Sequence, residues 1–383
     1  MKILFVTGSL VHGGAERHTI TLSNKLAERG HECHFAYVKD DSSQLGRLRG
    51  ATSVQCLYAQ RYLDLGALRT LAGIVARVQP DVVVAVNQYA LVYASLARRW
   101  ADSTAALAIT FHSTFIQGLK EQLKFLYLRP LFWAADCLVF VCEAQRKHWA
   151  ARAVIARANT VINNGVDLEH WRPTRPEESV RLRRVLGIQD GDYAIGMCAV
   201  LRPEKNHLQL VEALAALRRR GIPARALLIG DGPMRGEIEA RARVEGVAGD
   251  LVITGFQQDV RPFIAACDAL AITSTTEALS LAAIEAMALE RPVVHSEVGG
   301  AAELIQPGRQ GFLFPVGDTG ALIERLGALA DRDARRRMGA RARETVEARF
   351  AERAMVERYE TLFMQLETAR KARENLRRPA GAH

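Results

Sequence analysis

Residues 163–178 read NNGVDLEHWRPTRPEE, a polar run with a glycine turn and prolines at 173 and 176. It interrupts a chain that otherwise alternates strand-like and helix-like patterns. The run offers few apolar side chains to bury and many turn formers, so it reads as a linker. On its N-terminal side the apolar runs KILFVT, ECHFAYV, DVVVAV, ALAIT and CLVFVC alternate with helical patterns such as AERHTITLSNKLAERG, which ends in a C-cap glycine, and LVYASLARRWA. On its C-terminal side the alternation restarts: YAIGMCAV, ARALLIG, DLVITG, ALAIT and PVVHS are interleaved with NHLQLVEALAALRRRG, MRGEIEARARVEG, DVRPFIAACD and SLAAIEAMALE. Continuous apolar strands separated by helices predict a parallel sheet covered on both faces. The restart predicts two of them, so the fold class is α/β with two Rossmann-like, doubly wound domains. The expected domains are 1–170 and 171–350, with a last long helical pattern from about 351 to 383.

Bulk properties agree with that division. A chain of 383 residues is long for one hydrophobic core and comfortable for two. With 49% hydrophobic and 24% charged residues it reads as globular, with little room for extended disorder. No apolar run is long enough to span a bilayer, and the opening MKILFVTGSLVHGGAE leads into a glycine-rich turn, which reads as a first strand and not a signal peptide. The expected location is the cytoplasm. Six scattered cysteines without a CxxC pair read as buried reduced thiols. In HECH, residues 31–34, a strand would put His31 and Cys33 on one face and His34 on the other, too few convergent ligands for a metal. The formal charge of +9 suits an anionic partner. Most arginines fall in Glu- and Ala-rich helical patterns, and no zinc-finger, RRM or stacked-aromatic signature points to nucleic acid.

Several short stretches lie where an open parallel sheet gathers ligands, at the carboxyl ends of strands. GSLVHGGAERH follows the first strand; it is not the dinucleotide fingerprint, but Gly13 and Gly14 open a helix whose N–H groups would favour an anion, unless the pair only makes a tight turn. His112, in AITFHSTF, ends another strand and could face a ligand or cap a loop. In AVLRPEKNH, Arg202 and Lys205 leave a strand end three residues apart, as a fork and a point charge for a diphosphate. The turns LLIGDGPM and EVGGAAELI could let a ligand approach the backbone or be purely structural. In STTEALSLAAIEAMA, Glu285 stands between Ile284 and Ala286 in an apolar helix and therefore needs a partner. With the helix starting near Ser280, Glu277 sits in the preceding loop, and the unpaired N–H groups of Ser280 and Leu281 lie between the two carboxylates. One acid for a sugar, one for the cis-diol of ribose and amides for phosphate describe a nucleotide-sugar site. Asp190 and Asp192, in QDGDY, precede a strand and read as a turn, not a metal pair.

Taken in order, GGAE, FH, NNGVD, LRPEKNH, IGDGP, the Glu-x7-Glu of EALSLAAIE and VGGAAELI resemble the family 4 retaining glycosyltransferases of the GT-B fold, over nearly the whole chain. The resemblance implies that two Rossmann-like domains, an acceptor-binding one and a donor-binding one, clasp a nucleotide sugar, and that the final helix crosses back to the first domain. It further implies that Glu285 holds the ribose hydroxyls and Glu277 the sugar. Arg202 and Lys205, with the Ser280 and Leu281 amides, would neutralise the diphosphate. His112 would touch the sugar near the reacting carbon, and Gly13 and Gly14 would line the site. The implied enzyme is a retaining, metal-independent, hexosyltransferase-like glycosyltransferase without a cofactor, its donor a UDP-sugar ahead of a GDP-sugar. Its acceptor would be a glycan or a lipid-linked glycan of cell-surface polysaccharide or lipopolysaccharide synthesis. Two positions depart from the family pattern: Ala278, Leu279 and Ser280 follow Glu277 where glycines are common, and Asn163 stands where proline often precedes Asn-Gly. The competing readings are a sugar-nucleotide epimerase or hydrolase on the same fold and a binding module without activity. Residues 115–137 mix Lys120, Lys124 and Arg129 with Phe125, Tyr127, Phe132 and Trp133, as a core helix or an interfacial one would. The second reading predicts weak, peripheral attachment to the anionic inner face of the cytoplasmic membrane.

Overall fold

In the computed structural model the described residues are 1–11, 13–112, 118–173 and 176–377. Phe115 and the side chains of Lys120 and Lys124, part of the stretch read as interfacial, lie outside the described set. The chain forms two compact units, one of Met1–Asn164 with the chain from Met355 onward, the other of Gly165–Ala354.

In the first unit seven strands run in parallel: β1 Lys2–Thr7, β2 Glu32–Tyr37, β3 Ser53–Cys56, β4 Val82–Val86, β5 Ala106–Phe111, β6 Cys137–Phe140 and β7 Ala158–Val161. Their order is β3-β2-β1-β4-β5-β6-β7. The central strands β4 and β5 are buried along their whole length, which is why VVVAV and ALAITF read as unbroken apolar runs. Successive side chains feed opposite faces. Leu4, Val6, Val83 and Leu107 face the helices Leu65–Val78 and Asn87–Trp100, whereas Ile3, Phe5, Val84 and Ala108 face the other side. That second face is covered by the helix Gly14–Glu28 and by the last helix, Glu352–Arg377. Met355, Val356, Tyr359, Phe363 and Leu366 of the last helix, at three- and four-residue spacing, make the apolar stripe that seats it.

The second unit repeats the plan with β8 Tyr193–Cys198, β9 Ala224–Ile229, β10 Leu251–Ile253, β11 Ala269–Ile272, β12 Val293–Ser296 and β13 Gly311–Phe314, all parallel, in the order β10-β9-β8-β11-β12-β13. Where the chain enters and leaves this unit its two passes pair: Val166 N–H donates to Phe350 O at 2.9 Å, and Glu352 N–H donates to Val166 O at 2.9 Å. Gly165 permits this, because a Cβ there would lie 2.8 Å from Glu352 Cα.

The strand order reverses beside the first strand of each sheet, between β1 and β4 and between β8 and β11. Loops leaving neighbouring strands in opposite directions open a crevice at such a point. The loops that carry Gly13 and Gly14, Arg202 and Lys205, and Glu277 leave β1, β8 and β11, and His112 follows β5, the next strand out from β4.

Two features bear on the membrane reading. No described helix is long and apolar enough to cross a membrane. The helix Gly118–Ala134 buries Phe125 and Phe132 in the core of the first unit and exposes Leu123, Leu126, Tyr127 and Trp133.

Candidate active site

In the second unit the loop after β8 forms a short turn over Pro203–Lys205 and then Asn206, in left-handed conformation, starts the helix His207–Arg219. Backbone bonds fix this loop against its neighbours. Leu201 N–H donates to Asp231 O at 3.0 Å and Met234 N–H to Leu201 O at 3.0 Å, so the IGDGP turn steadies the LRPEK loop. From the other side Thr275 N–H donates to Glu204 O at 2.8 Å, and Thr273 Oγ1 lies 2.9 Å from both the Lys205 and the Asn206 carbonyl oxygens. The loops on either side of the β8/β11 reversal are thus one stitched piece.

On that piece Lys205 Nζ donates to Glu277 Oε1 at 2.5 Å, and Ser274 Oγ donates to the same oxygen at 2.9 Å. The ion pair is largely withdrawn from water, with side-chain exposures of 26% and 17%. Both bonds fall on Oε1, which leaves the accepting capacity of Oε2 for a hydroxyl. The sequence assigned Lys205 to a diphosphate and Glu277 to a sugar separately; the structure joins them. His295 lies nearby, buried, its Nδ1 2.6 Å from Ser296 O, and burial holds its pKa below the usual range against the opposing pull of Glu277.

Further bonds hold the Glu277 loop in place. Ser296 Oγ donates to Ser274 O at 2.6 Å, and Gly300 N–H to Ala278 O at 2.7 Å. At Gly299, with φ +53°, a side chain is barred twice over, by its backbone and by the carbonyls of Glu277 and Ala278. The VGGAAELI turn therefore shapes the acidic loop.

The helix Leu281–Ala288 begins where the sequence placed it. Ser280 is its N-cap, with Oγ accepting from Ala283 N–H at 3.2 Å. The amides of Ser280 and Leu281 stand at its open end. Glu285 is only 2% exposed, between the fully buried Ile284, Ala286 and Met287. Arg202 is exposed on the loop that carries Lys205. His207, two residues after Lys205, is buried with neither ring nitrogen bonded among the described residues, and burial first, then the Lys205 charge, takes its pKa down to about 4. Asp192 Oδ2 accepts from Gln189 N–H at 2.7 Å, closing a local turn.

In the first unit Gly13 caps the helix Gly14–Glu28 at the β1 end, and a Cβ on Gly13 would run into the Glu16 carboxylate. Leu10 N–H donates to Asp41 O at 2.7 Å, which ties this loop to the one after β2. His112 follows β5. Its N–H donates to Asn87 Oδ1 at 2.9 Å, and Gln145 Nε2 donates to the preceding Phe111 O at 2.9 Å. Asn87 holds a left-handed φ of +62° at the start of its helix, a conformation asparagine tolerates. The His112 ring packs 4.8 Å from that of His18, and burial pushes its pKa down to about 4. His18, Asn87, Ser274 and His295 escaped the sequence reading. His18 had one available signal: it lies four residues after Gly14, on the helix face that leans back toward the β1 end.

His31 and His34 bond to Glu360 and to Ser53 and Glu32 respectively. Among the described residues no group of three or more His, Cys, Asp or Glu side chains is placed to hold a metal ion.

A model described as Glycosyltransferase Family 4 matches residues 12–170, and one described as Glycosyl transferases group 1 matches residues 179–345. N-acetyl-alpha-D-glucosaminyl L-malate synthase of Bacillus anthracis is 26% identical over 364 residues, 92% of this chain and 93% of that protein. The lipopolysaccharide core biosynthesis glycosyltransferase LpsE of Rhizobium meliloti is 26% identical over 363 residues, 91% of this chain and 94% of its own. Among solved structures, HepE of Anabaena in complex with UDP superposes with a TM-score of 0.85 at 24% identity, covering 95% of this chain and 100% of that one. Both matched models and LpsE are named as glycosyltransferases, which gives no support to the epimerase or hydrolase reading.

Proposed function

Because the chain belongs to the family 4 glycosyltransferases, we propose that it moves a sugar, with retention, from a UDP-sugar to a glycan or lipid-linked acceptor in cell-surface polysaccharide synthesis. The observation that carries this reading is the Lys205–Glu277 pair at the β8/β11 reversal, ahead of a helix that buries Glu285. Glu285 takes the ribose diol and Glu277, through Oε2, a sugar hydroxyl. Lys205 and Arg202, with the amides of Ser280 and Leu281, meet the diphosphate. His112 of the first unit touches the sugar near its reacting carbon, and Gly13 and Gly14 let the acceptor and phosphate close to the backbone. The first unit then binds acceptor and the second binds donor.

In the reaction the bond from the anomeric carbon to the diphosphate oxygen breaks, and the departing oxygen takes the acceptor hydroxyl's proton. The acceptor oxygen then bonds to that carbon on the same face. No metal enters this scheme; the charge that grows on the diphosphate is met by the two cations and the helix amides. UDP as carrier is supported by the HepE complexes with UDP and with UDP-glucose, and the acceptor class by the naming of LpsE.

A thermal-shift comparison of UDP, GDP and ADP tests the reading. UDP at about 100 times its Kd should stabilise the protein by about 2.7 kcal/mol, a shift of about 5 °C or more. Glu285→Gln should lose most of it. A flat response to all three nucleotides would end the proposal, and a response to GDP alone would replace the donor.

The exposed Leu123, Leu126, Tyr127 and Trp133 support a cytoplasmic protein held peripherally at the membrane's inner face. It should bind vesicles containing phosphatidylglycerol at low salt and leave them as salt rises. Equal indifference to anionic and neutral vesicles at low salt refutes the attachment.

A further inference from the structure

Three aromatic rings of the first unit stand in a row, each from a different part of the chain. His112 follows β5, His18 lies on the helix after β1, and Tyr359 lies on the last helix. The His112 and His18 centroids are 4.8 Å apart at 59°, and those of His18 and Tyr359 are 5.5 Å apart at 57°. His18 and Tyr359 are 5% and 0% exposed. His18 Nε2, His112 Nε2 and Tyr359 Oη are all buried and find no hydrogen-bond partner among the described residues. Each such atom costs about 1–3 kcal/mol relative to a satisfied one, so apolar rings of the same shape would serve stability better. A core built only for packing has no use for two imidazoles here.

We propose that His18 is a positioning residue: its ring, braced by Tyr359 from the last helix, sets the orientation of the His112 ring toward the donor sugar. Asn87 fixes the backbone of His112 by accepting its N–H at 2.9 Å, and His18 fixes what that bond leaves free, the rotation of the side chain. The inference rests on the reading of His112 as the residue that touches the sugar. Burial, and the neighbouring imidazole in the case of His18, hold both rings neutral near pH 7, so they can pack without charge repulsion. The last helix thereby contributes to the site through His18 without itself touching substrate.

The test is a ¹H–¹³C spectrum of the full chain labelled at histidine Cε1, taken for the wild type, His18→Ala and His18→Asn, together with UDP release from UDP-glucose. In both variants the His112 resonance should shift and broaden while the signals of histidines remote from the pair stay in place. UDP release should fall by about 10- to 100-fold in kcat with the KM for UDP-glucose unchanged, as expected for a displaced contact group. His112→Ala should show the same loss, and His18→Ala/His112→Ala should be no worse than His112→Ala alone. An unmoved His112 resonance in either folded variant overturns the proposal, as does a double variant whose losses multiply. Failure of UDP to stabilise the wild type counts against the functional reading instead, and the spectrum then decides the ring contact by itself.

Discussion

Lys205→Met should lower kcat by about 10²–10³, the cost of removing one donor aimed at a growing oxyanion. Glu277→Gln should also be severely impaired, and the double variant should be little worse than the poorer single one. Lys205 and Glu277 share a bond of 2.5 Å, and Ser274 donates to the same carboxylate oxygen. Removing either partner releases the other from the position it needs, so the two losses describe one unit and cannot multiply. Stability should order the variants differently. Lys205→Met strands a carboxylate that is only 17% exposed, so it should melt lower than Lys205→Met/Glu277→Gln, in which no uncompensated charge is left. Steady-state kinetics with UDP-glucose and melting curves for the four proteins check both orders. Multiplicative losses in kcat would mean that the cation and the acid act apart, and the assigned division of labour between diphosphate and sugar would stand without the ion pair.

The reason this pair was not visible in the sequence also explains what was. Lys205 and Glu277 are 72 residues apart, and each drew notice alone, the first as a cation at a strand end, the second as an acid before an apolar helix. Their meeting depends on β8 lying next to β11, which is a property of strand order and not of any local pattern. Glu285 and the helix start near Ser280 were legible because helix periodicity is local. His18 and Asn87 were hidden for the same reason as the ion pair, since their partner His112 follows a third strand. Among the strands, those buried on both faces announced themselves as continuous apolar runs. The edge strands β3 and β7, SVQC and ANTV, did not: only Cys56 of the eight residues is buried, so they carry polar side chains and no clear period. In β13, GFLF, the run was too short to be told from a turn. Residues 163–178 stand out in the sequence as a break in pattern, whereas the pairing of Val166 with the returning chain near Ala351 depends on a contact that only folding makes.

A chain ending at residue 354 should lose the first unit and keep the second. The last helix lays Met355, Val356, Tyr359, Phe363 and Leu366 against the β1, β4 and β5 face of the first sheet. At about 1.5–3 kcal/mol for each large apolar side chain buried, these five supply on the order of 10 kcal/mol, comparable with the whole stability of a domain at about 5–15 kcal/mol. Polar ties would go too. Arg373 Nη1 reaches Asp136 Oδ1 at 2.8 Å, Arg370 Nη2 reaches Asp81 Oδ1 at 3.2 Å, and Glu360 accepts from Arg29 at 2.7 Å and meets His31 at 2.7 Å. Asp136 is buried and would keep Arg98 and Arg157 as partners, so the damage lies in the uncovered apolar face and not in a stranded charge. Calorimetry should show the first unit's transition abolished or moved below that of the second, with dye binding to the exposed face and no release of UDP from UDP-glucose. The second unit ends at Ala354 and has its own core, so UDP should still raise its transition. Phe363→Ala in the full chain should reproduce part of the effect, at about 3–5 kcal/mol, without removing a charge. If the shortened chain melted as one transition at the full-length temperature, the last helix would be an ornament on a sheet that is stable without it, and its bracing of His18 would lose its foundation.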